Sequence, residues 1–279
     1  MGLTGAILGD IAGSRWEFAS LNEKRKTKNY DLFTDKNYYT DDTVMSIACK
    51  DAVKKAGLFG PNFTKYMRMY GRRYPNAGYG ASFSRWLESN KPKPYFSFGN
   101  GSAMRCSYIG ECVSSINKCK RLAEKSAKVT HNHPEGIKGA IVLAVCVFMA
   151  EHNYSKEDIL EYAIKEYPPL MEDIDRYLQH GEFEGKYVFS PCRPTSEYTN
   201  SIKYHISCQG SVPVAVRCFY ETNSFEECMY LINSMEIDTD TVGAIAGAIC
   251  HSYYKKCTDN DDELLKRYLP DDLYKIAKL

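Results

Sequence analysis

Two short acidic segments carry the residues best suited to chemistry, Thr40-Asp41-Asp42-Thr43 and Asp238-Thr239-Asp240-Thr241. Carboxylates and hydroxyls with no Cys or His beside them form an all-oxygen donor set, which suits hard Mg²⁺ or Mn²⁺ rather than zinc. In an extended segment Asp238 and Asp240 point to the same side and can hold one cation jointly. Asp41 and Asp42 are adjacent and diverge, so that one serves each metal or one bridges both. A plainer use competes: each segment immediately precedes an apolar helical pattern, where Thr and Asp side chains satisfy the free N–H groups of the first turn. The positive end of the helix dipole opposes a cation there, so a metal needs several carboxylates together, and these segments supply four.

Three further features bear on ligand binding. Gly99-Asn100-Gly101-Ser102 precedes a short helix, where glycine lets backbone N–H groups approach a phosphate, although such a turn is commonly no more than a turn. His131 and His133 flank Asn132 ahead of Pro134, a placement that also suits helix entry. Tyr74, Tyr79, Phe96 and Phe98 are the aromatic candidates for stacking on a base, in a chain where 13% of residues are aromatic and most must be core.

These residues need a scaffold. Apolar residues recur at three- and four-residue spacing, strand signals are sparse, and the pattern predicts an all-α fold. Helices are expected at about 3–13, 42–56, 62–71, 82–89, 114–128, 135–151, 156–166, 212–221, 225–234, 241–256 and 261–277. Gly5, Gly9 and Gly13 line one face of the first helix, and Gly243, Ala244, Gly247 and Ala248 repeat the device, which predicts closely packed central helices. With no linker or repeat, the chain reads as one domain over 1–279, with an inserted surface loop at about 179–202.

Bulk properties exclude several classes. Thirty-six basic against thirty-five acidic residues give no field for nucleic acid. The run Lys24, Arg25, Lys26 and Lys28 is short, flanked by acids, and reads as a solvated loop. The eleven cysteines are scattered and odd in number. Cys49, Cys146, Cys218 and Cys250 fall in apolar helical patterns, as free thiols packed in a reducing compartment would. The start of the chain has no secretory or myristoylation pattern. The longest apolar stretch, 140–150, is far below the about 20 residues that span a bilayer. A cytoplasmic protein is expected.

A wider pattern joins these features. The segments 9–18 (GDIAGSRWEF), 39–44 (YTDDTV), 72–80 (RRYPNAGYG), 98–105 (FGNGSAMR), 130–140 (THNHPEGIKGA), 207–213 (SCQGSVP) and 238–241 (DTDT) resemble, in the same order, the motifs of the ADP-ribosylglycohydrolase family, especially compact prokaryotic members related to dinitrogenase-reductase-activating glycohydrolase. The resemblance implies an orthogonal all-α bundle with a binuclear metal cleft holding two Mg²⁺, or Mn²⁺. It implies Thr40, Asp41, Asp42, Asp238, Asp240 and Thr241 as ligands, and Glu17 as a mobile acid that acts with Asp41 and Asp240 in catalysis. Glu17, Phe98, Gly99, Asn100, Gly101, Ser102, Met104 and His131 would contact an ADP-ribose-bearing substrate, with His133 structural. The implied reaction is hydrolysis of the bond between ADP-ribose and a protein side chain such as arginine, a nucleobase or a small metabolite; the alternative is a non-catalytic ADP-ribose-binding or toxin-neutralising protein. Two departures stand out: Glu236-Ile237 where relatives carry Gly-Gly, and Val214 where many carry Glu. The first is expected to reshape substrate access.

Overall fold

The computed structural model describes residues 2–20, 23, 24, 30–56, 60–167 and 206–279. They form helices α1 (Gly2–Ser14), α2 (Asp41–Lys54), α3 (Phe63–Arg73), α4 (Ala81–Glu88), α5 (Ser107–Cys112), α6 (Ile116–Ala127), α7 (Pro134–Glu151), α8 (Lys156–Glu166), α9 (Cys208–Glu221), α10 (Phe225–Asn233), α11 (Thr239–Tyr254), α12 (Asp261–Tyr268) and α13 (Asp271–Lys278), with two 3₁₀ turns over 100–106. The all-α expectation holds. An antiparallel bridge pairs Gly99 with Ser207.

Helices that are apolar all round belong inside a globule, and α1, α7 and α11 are buried along almost their whole length. The glycine faces explain how α1 and α11 share the centre. A Cβ built on Gly5, Gly9 or Gly13 would overlap the carbonyl oxygen of Gly247, Gly243 or Thr239, so the two antiparallel backbones touch directly. The carbonyls at the end of α1 are then closed by side chains from elsewhere. Asn37 donates to Ile11 at 2.7 Å, Asn233 to Ala12 at 3.2 Å and Thr239 to Gly13 at 2.9 Å.

The structure amends several expected elements. The helix expected over 261–277 is two, because Pro270 cannot donate to a helical ladder and pushes Leu269 into an extended conformation (φ −97°, ψ 140°). Ser107–Cys112 is a short helix that its few turns hid from periodicity. Helix α9 begins four residues before the expected 212, since Ser207 accepts from Gly210 N and caps it. Lys24 is not solvated: it is buried, and its Nζ donates to Met235 O at 2.7 Å. Burial lowers its pKa to about 8, partly opposed by Glu236. The rest of that basic run and the expected 179–202 loop lie outside the described residues. The cysteines follow expectation; every described one is free, and Cys49, Cys146, Cys218 and Cys250 are fully buried. No helix among the described residues is long and apolar enough to cross a membrane.

Candidate metal centre and cleft

The two acidic segments meet. Helix α2 begins at Asp41 and helix α11 at Thr239, and the contact of α11 with α1 brings Asp10 between them. Carboxylate oxygens of Asp10, Asp42 and Asp240 lie within 4.8 Å of one another, as do those of Glu17, Asp238 and Asp240. Asp240 belongs to both groups. The capping use fits one segment only. Thr40 caps α2, accepting from Asp42 N at 3.2 Å. Asp238 occupies the cap position of α11 yet makes no capping hydrogen bond; instead its Oδ2 accepts from Asn100 Nδ2 at 2.6 Å.

Asp10 was not singled out from sequence, where it is an isolated acid in an apolar glycine helix. It is fully buried, and it accepts from both the amide and the hydroxyl of Thr40 (2.9 and 2.9 Å) and of Thr43 (3.1 and 2.6 Å). The signal was present: an Asp inside a helix otherwise fit only for burial requires buried donors. Asp42 Oδ2 in turn accepts from Thr241 Oγ1 at 3.1 Å. Asp42 Oδ1 and Asp240 Oδ1 are buried with no hydrogen-bond partner. Unpartnered buried carboxylate oxygens are costly, and a divalent cation is the group whose charge and coordination would satisfy them.

The electrostatics agree. Burial raises Asp10 and Asp238 to about 6 from the ordinary 3.8. Asp41, Asp42 and Asp240 are pushed well above that value, by burial first and then by one another and their acidic neighbours. So many carboxylates crowded without a counter-charge hold protons unless a cation replaces them.

Above this floor opens a cleft of about 640 Å³. Thr40, Asp41, Asp42, Asp238, Asp240 and Thr241 all reach it, as do Glu17, Gly99, Asn100, Gly101, Met104 and His131. Phe98 and Ser102 do not: Phe98 packs edge-on against His133 at 5.4 Å, and Ser102 Oγ donates inward to Gly136 O at 2.7 Å. The phosphate reading of the glycine loop is also narrowed. The amide of Gly99 donates to Ser97 Oγ and that of Asn100 to Ile206 O, so neither points at a ligand. The Asn100 side chain serves Asp238 and Ser211. His131 accepts or donates at Nδ1 with Thr130 Oγ1, 2.7 Å away, and burial with Arg105 nearby lowers its pKa well below 6.5, so its imidazole is neutral. His133 caps α7 by accepting from Glu135 N. The aromatic wall is not the expected one: Tyr38, Tyr39, Phe83 and Tyr95 line the cleft, whereas Tyr74, Tyr79, Phe96 and Phe98 do not. Aromatic abundance gave no means of choosing among them.

Glu236 and Ile237 also stand elsewhere. Ile237 is buried in the core, and neither residue lines the cleft. The expected effect of these residues on substrate access has no support in the lining, and the Glu236 charge instead favours the charged form of buried Lys24.

A helical bundle whose central helices deliver opposed carboxylates to the floor of an aromatic cleft has known counterparts. Residues 1–255 match the family model for ADP-ribosylglycohydrolase, and the chain belongs to that family; it is a glycohydrolase enzyme. It is 27% identical to human ADP-ribosylhydrolase ARH3 over 314 residues, covering 90% of this chain and 84% of that protein. The mouse ADP-ribosylhydrolase ARH3 is 27% identical over 90% of this chain and 82% of its own. An uncharacterized Archaeoglobus fulgidus protein is 27% identical over 76% of this chain and 70% of its own. A solved structure described as an ADP-ribosylglycohydrolase-related protein complex shares the fold, with a TM-score of 0.64 and 20% identity over 99% of this chain and 95% of that one.

Proposed function

We propose that this enzyme hydrolyses the glycosidic bond joining ADP-ribose to a modified target, with two Mg²⁺, or Mn²⁺, held between the acidic segments. The observation that carries the reading is the pair of buried, unpartnered oxygens on Asp42 and Asp240 beneath an aromatic cleft. Thr40, Asp41, Asp42, Asp238, Asp240 and Thr241 would hold the cations. When bound, such ions orient a sugar diol and make water a stronger nucleophile. The remaining steps fall to the chain itself. Asp10 fixes Thr40, and Asn100 fixes Asp238. Glu17, whose carboxylate lies near those of Asp238 and Asp240, would contact the ribose and accept a proton. Neutral His131 presents an uncharged polar edge to the sugar. Tyr38, Tyr39, Phe83 and Tyr95 exclude water from the bound nucleotide. We further propose a single domain over the whole chain and, from the free cysteines, a cytoplasmic setting.

The purified protein should be offered arginine-, serine-, nucleobase- and acetyl-linked ADP-ribose with Mg²⁺ and with chelator, and the products identified. Release of free ADP-ribose from at least one substrate, abolished by chelator and strongly reduced in Glu17→Gln, is expected. Tight ADP-ribose binding with no turnover on any linkage would favour the binding-protein alternative.

A further inference from the structure

The far end of α11 carries a second cluster, unlike the first in its donors. His251 Nε2, Cys257 Sγ and an Asp261 carboxylate oxygen lie within 4.8 Å of one another. The set is imidazole, thiol and carboxylate, with both His251 and Cys257 buried. His251 stands eleven positions after Asp240 on the same helix, so this cluster sits about 16 Å along the axis from the acidic floor.

The His251–Asp261 ion pair is a loose one. His251 Nε2 and Asp261 Oδ2 stand 3.5 Å apart, whereas a charge-assisted hydrogen bond runs about 2.7–2.9 Å. That separation does match one edge of a tetrahedron around zinc, because metal bonds of about 2.0–2.2 Å to nitrogen and oxygen place neighbouring ligand atoms about 3.4 Å apart. Asp261 is already aimed. Its Oδ2 accepts from Cys257 N at 3.0 Å, and its Oδ1 accepts from Thr258 N and Thr258 Oγ1 at 2.7 and 2.8 Å. Such outer contacts are how proteins orient a metal-binding carboxylate. The same bonds fold the 255–260 turn so that Cys257 faces inward beside His251.

We propose that His251, Cys257 and Asp261 form a three-ligand site, with one position open to solvent, for a borderline-soft divalent ion, zinc by chemistry, which ties the end of α11 to the start of α12. Solvent water completes the tetrahedron, reaching it through the partly exposed Asp261 side chain, 19% accessible. Binding forms a metal–thiolate bond and releases the Cys257 thiol proton to solvent, so affinity rises with pH. The mixed donor set separates this site from the all-oxygen floor, which selects hard ions.

Cobalt(II) is the probe, because a thiolate ligand gives it a near-ultraviolet charge-transfer band that an all-oxygen site cannot produce. The full chain, stripped with chelator and titrated with Co²⁺, is expected to show that band together with intense tetrahedral visible bands. Asp240→Asn should keep them, and Cys257→Ser and His251→Ala should each lose them. Zn²⁺ should also slow alkylation of Cys257 in the unaltered protein about tenfold, with exposed Cys112 as internal reference; this arm decides the matter if the variants do not fold. A band that survives Cys257→Ser, or alkylation of Cys257 that Zn²⁺ leaves unchanged, overturns the site.

Discussion

The Asp10 carboxylate accepts both the amide and the hydroxyl of Thr40, each at 2.9 Å. A hydroxyl has one proton, and giving it to Asp10 leaves Thr40 Oγ1 as an acceptor only, with one lone pair taken by Asp42 N and one over for a cation. Asp10 thus acts through Thr40 and Thr43, as the residue that sets the entry of α2.

Asp10→Asn keeps the shape but replaces a four-bond acceptor with an amide whose NH₂ group faces donors. We expect a stability loss of about 3 kcal/mol, since hydrogen bonds to a buried charged group are worth roughly 1.5–3 kcal/mol each and do not add fully. Mg²⁺ affinity should fall about 10- to 100-fold. Denaturant melts and titration calorimetry check both; unchanged affinity in a folded variant would remove Asp10 from the positioning role.

Asp240 is the shared member of both carboxylate groups. Asp240→Asn should abolish Mg²⁺ binding while raising the melting temperature of the cation-free protein, because it removes a carboxylate that its neighbours repel. Asp41→Asn should also abolish binding. Calorimetry and thermal melts in chelator provide the readouts. Wild-type affinity in both variants would show that the cation binds elsewhere.

The raised carboxyl groups fix the sign of a pH effect. Burial lifts Asp10 and Asp238 to about 6 from 3.8, so their contribution to stability is fully present below the unfolded value and is lost as pH rises through about 6. The cation-free protein should therefore lose stability between about pH 4 and 7, and Mg²⁺ should restore more of it the higher the pH. Melting curves with Mg²⁺ and with chelator across this range test it. A Mg²⁺ gain that is largest in acid contradicts the assignment.

Gly9→Ala would drive a methyl group into the Gly243 carbonyl. We expect a loss of about 3 kcal/mol or more, since two rigid backbones must part. Gly80→Ala, where nothing lies within 4 Å of the new Cβ, should change stability by less than about 0.5 kcal/mol. Equal effects in chemical denaturation would mean that α1 and α11 can separate freely.

Much of this molecule was legible in its sequence, for physical reasons that differ by residue. The glycine spacing in α1 and α11 is a demand for backbone contact, and that contact is there. The two acidic segments were visible because four carboxylates beside hydroxyls have few structural uses. Asp10 was obscured because a buried anchor leaves no pattern of its own; its partners, Thr40 and Thr43, are 30 and more positions away. The aromatic wall was illegible because which tyrosine faces a cleft depends on packing between distant segments. Glu236 and Ile237 misled because adjacency to Asp238 in the chain was taken for adjacency in space, whereas the turn into α11 sends Ile237 to the core.

The contact between α1 and α11 also bears on ion selection. Asp10, which anchors Thr40 and the start of α2, and Asp240 ride on helices held apart by nothing longer than a backbone, so no rotamer change can widen the frame that carries the proposed cation ligands. A floor of that kind acts as a gauge rather than a glove. It should discriminate among cations by ionic radius, tolerating Mg²⁺ and Mn²⁺ and gripping the larger Ca²⁺ poorly, however many oxygens surround it.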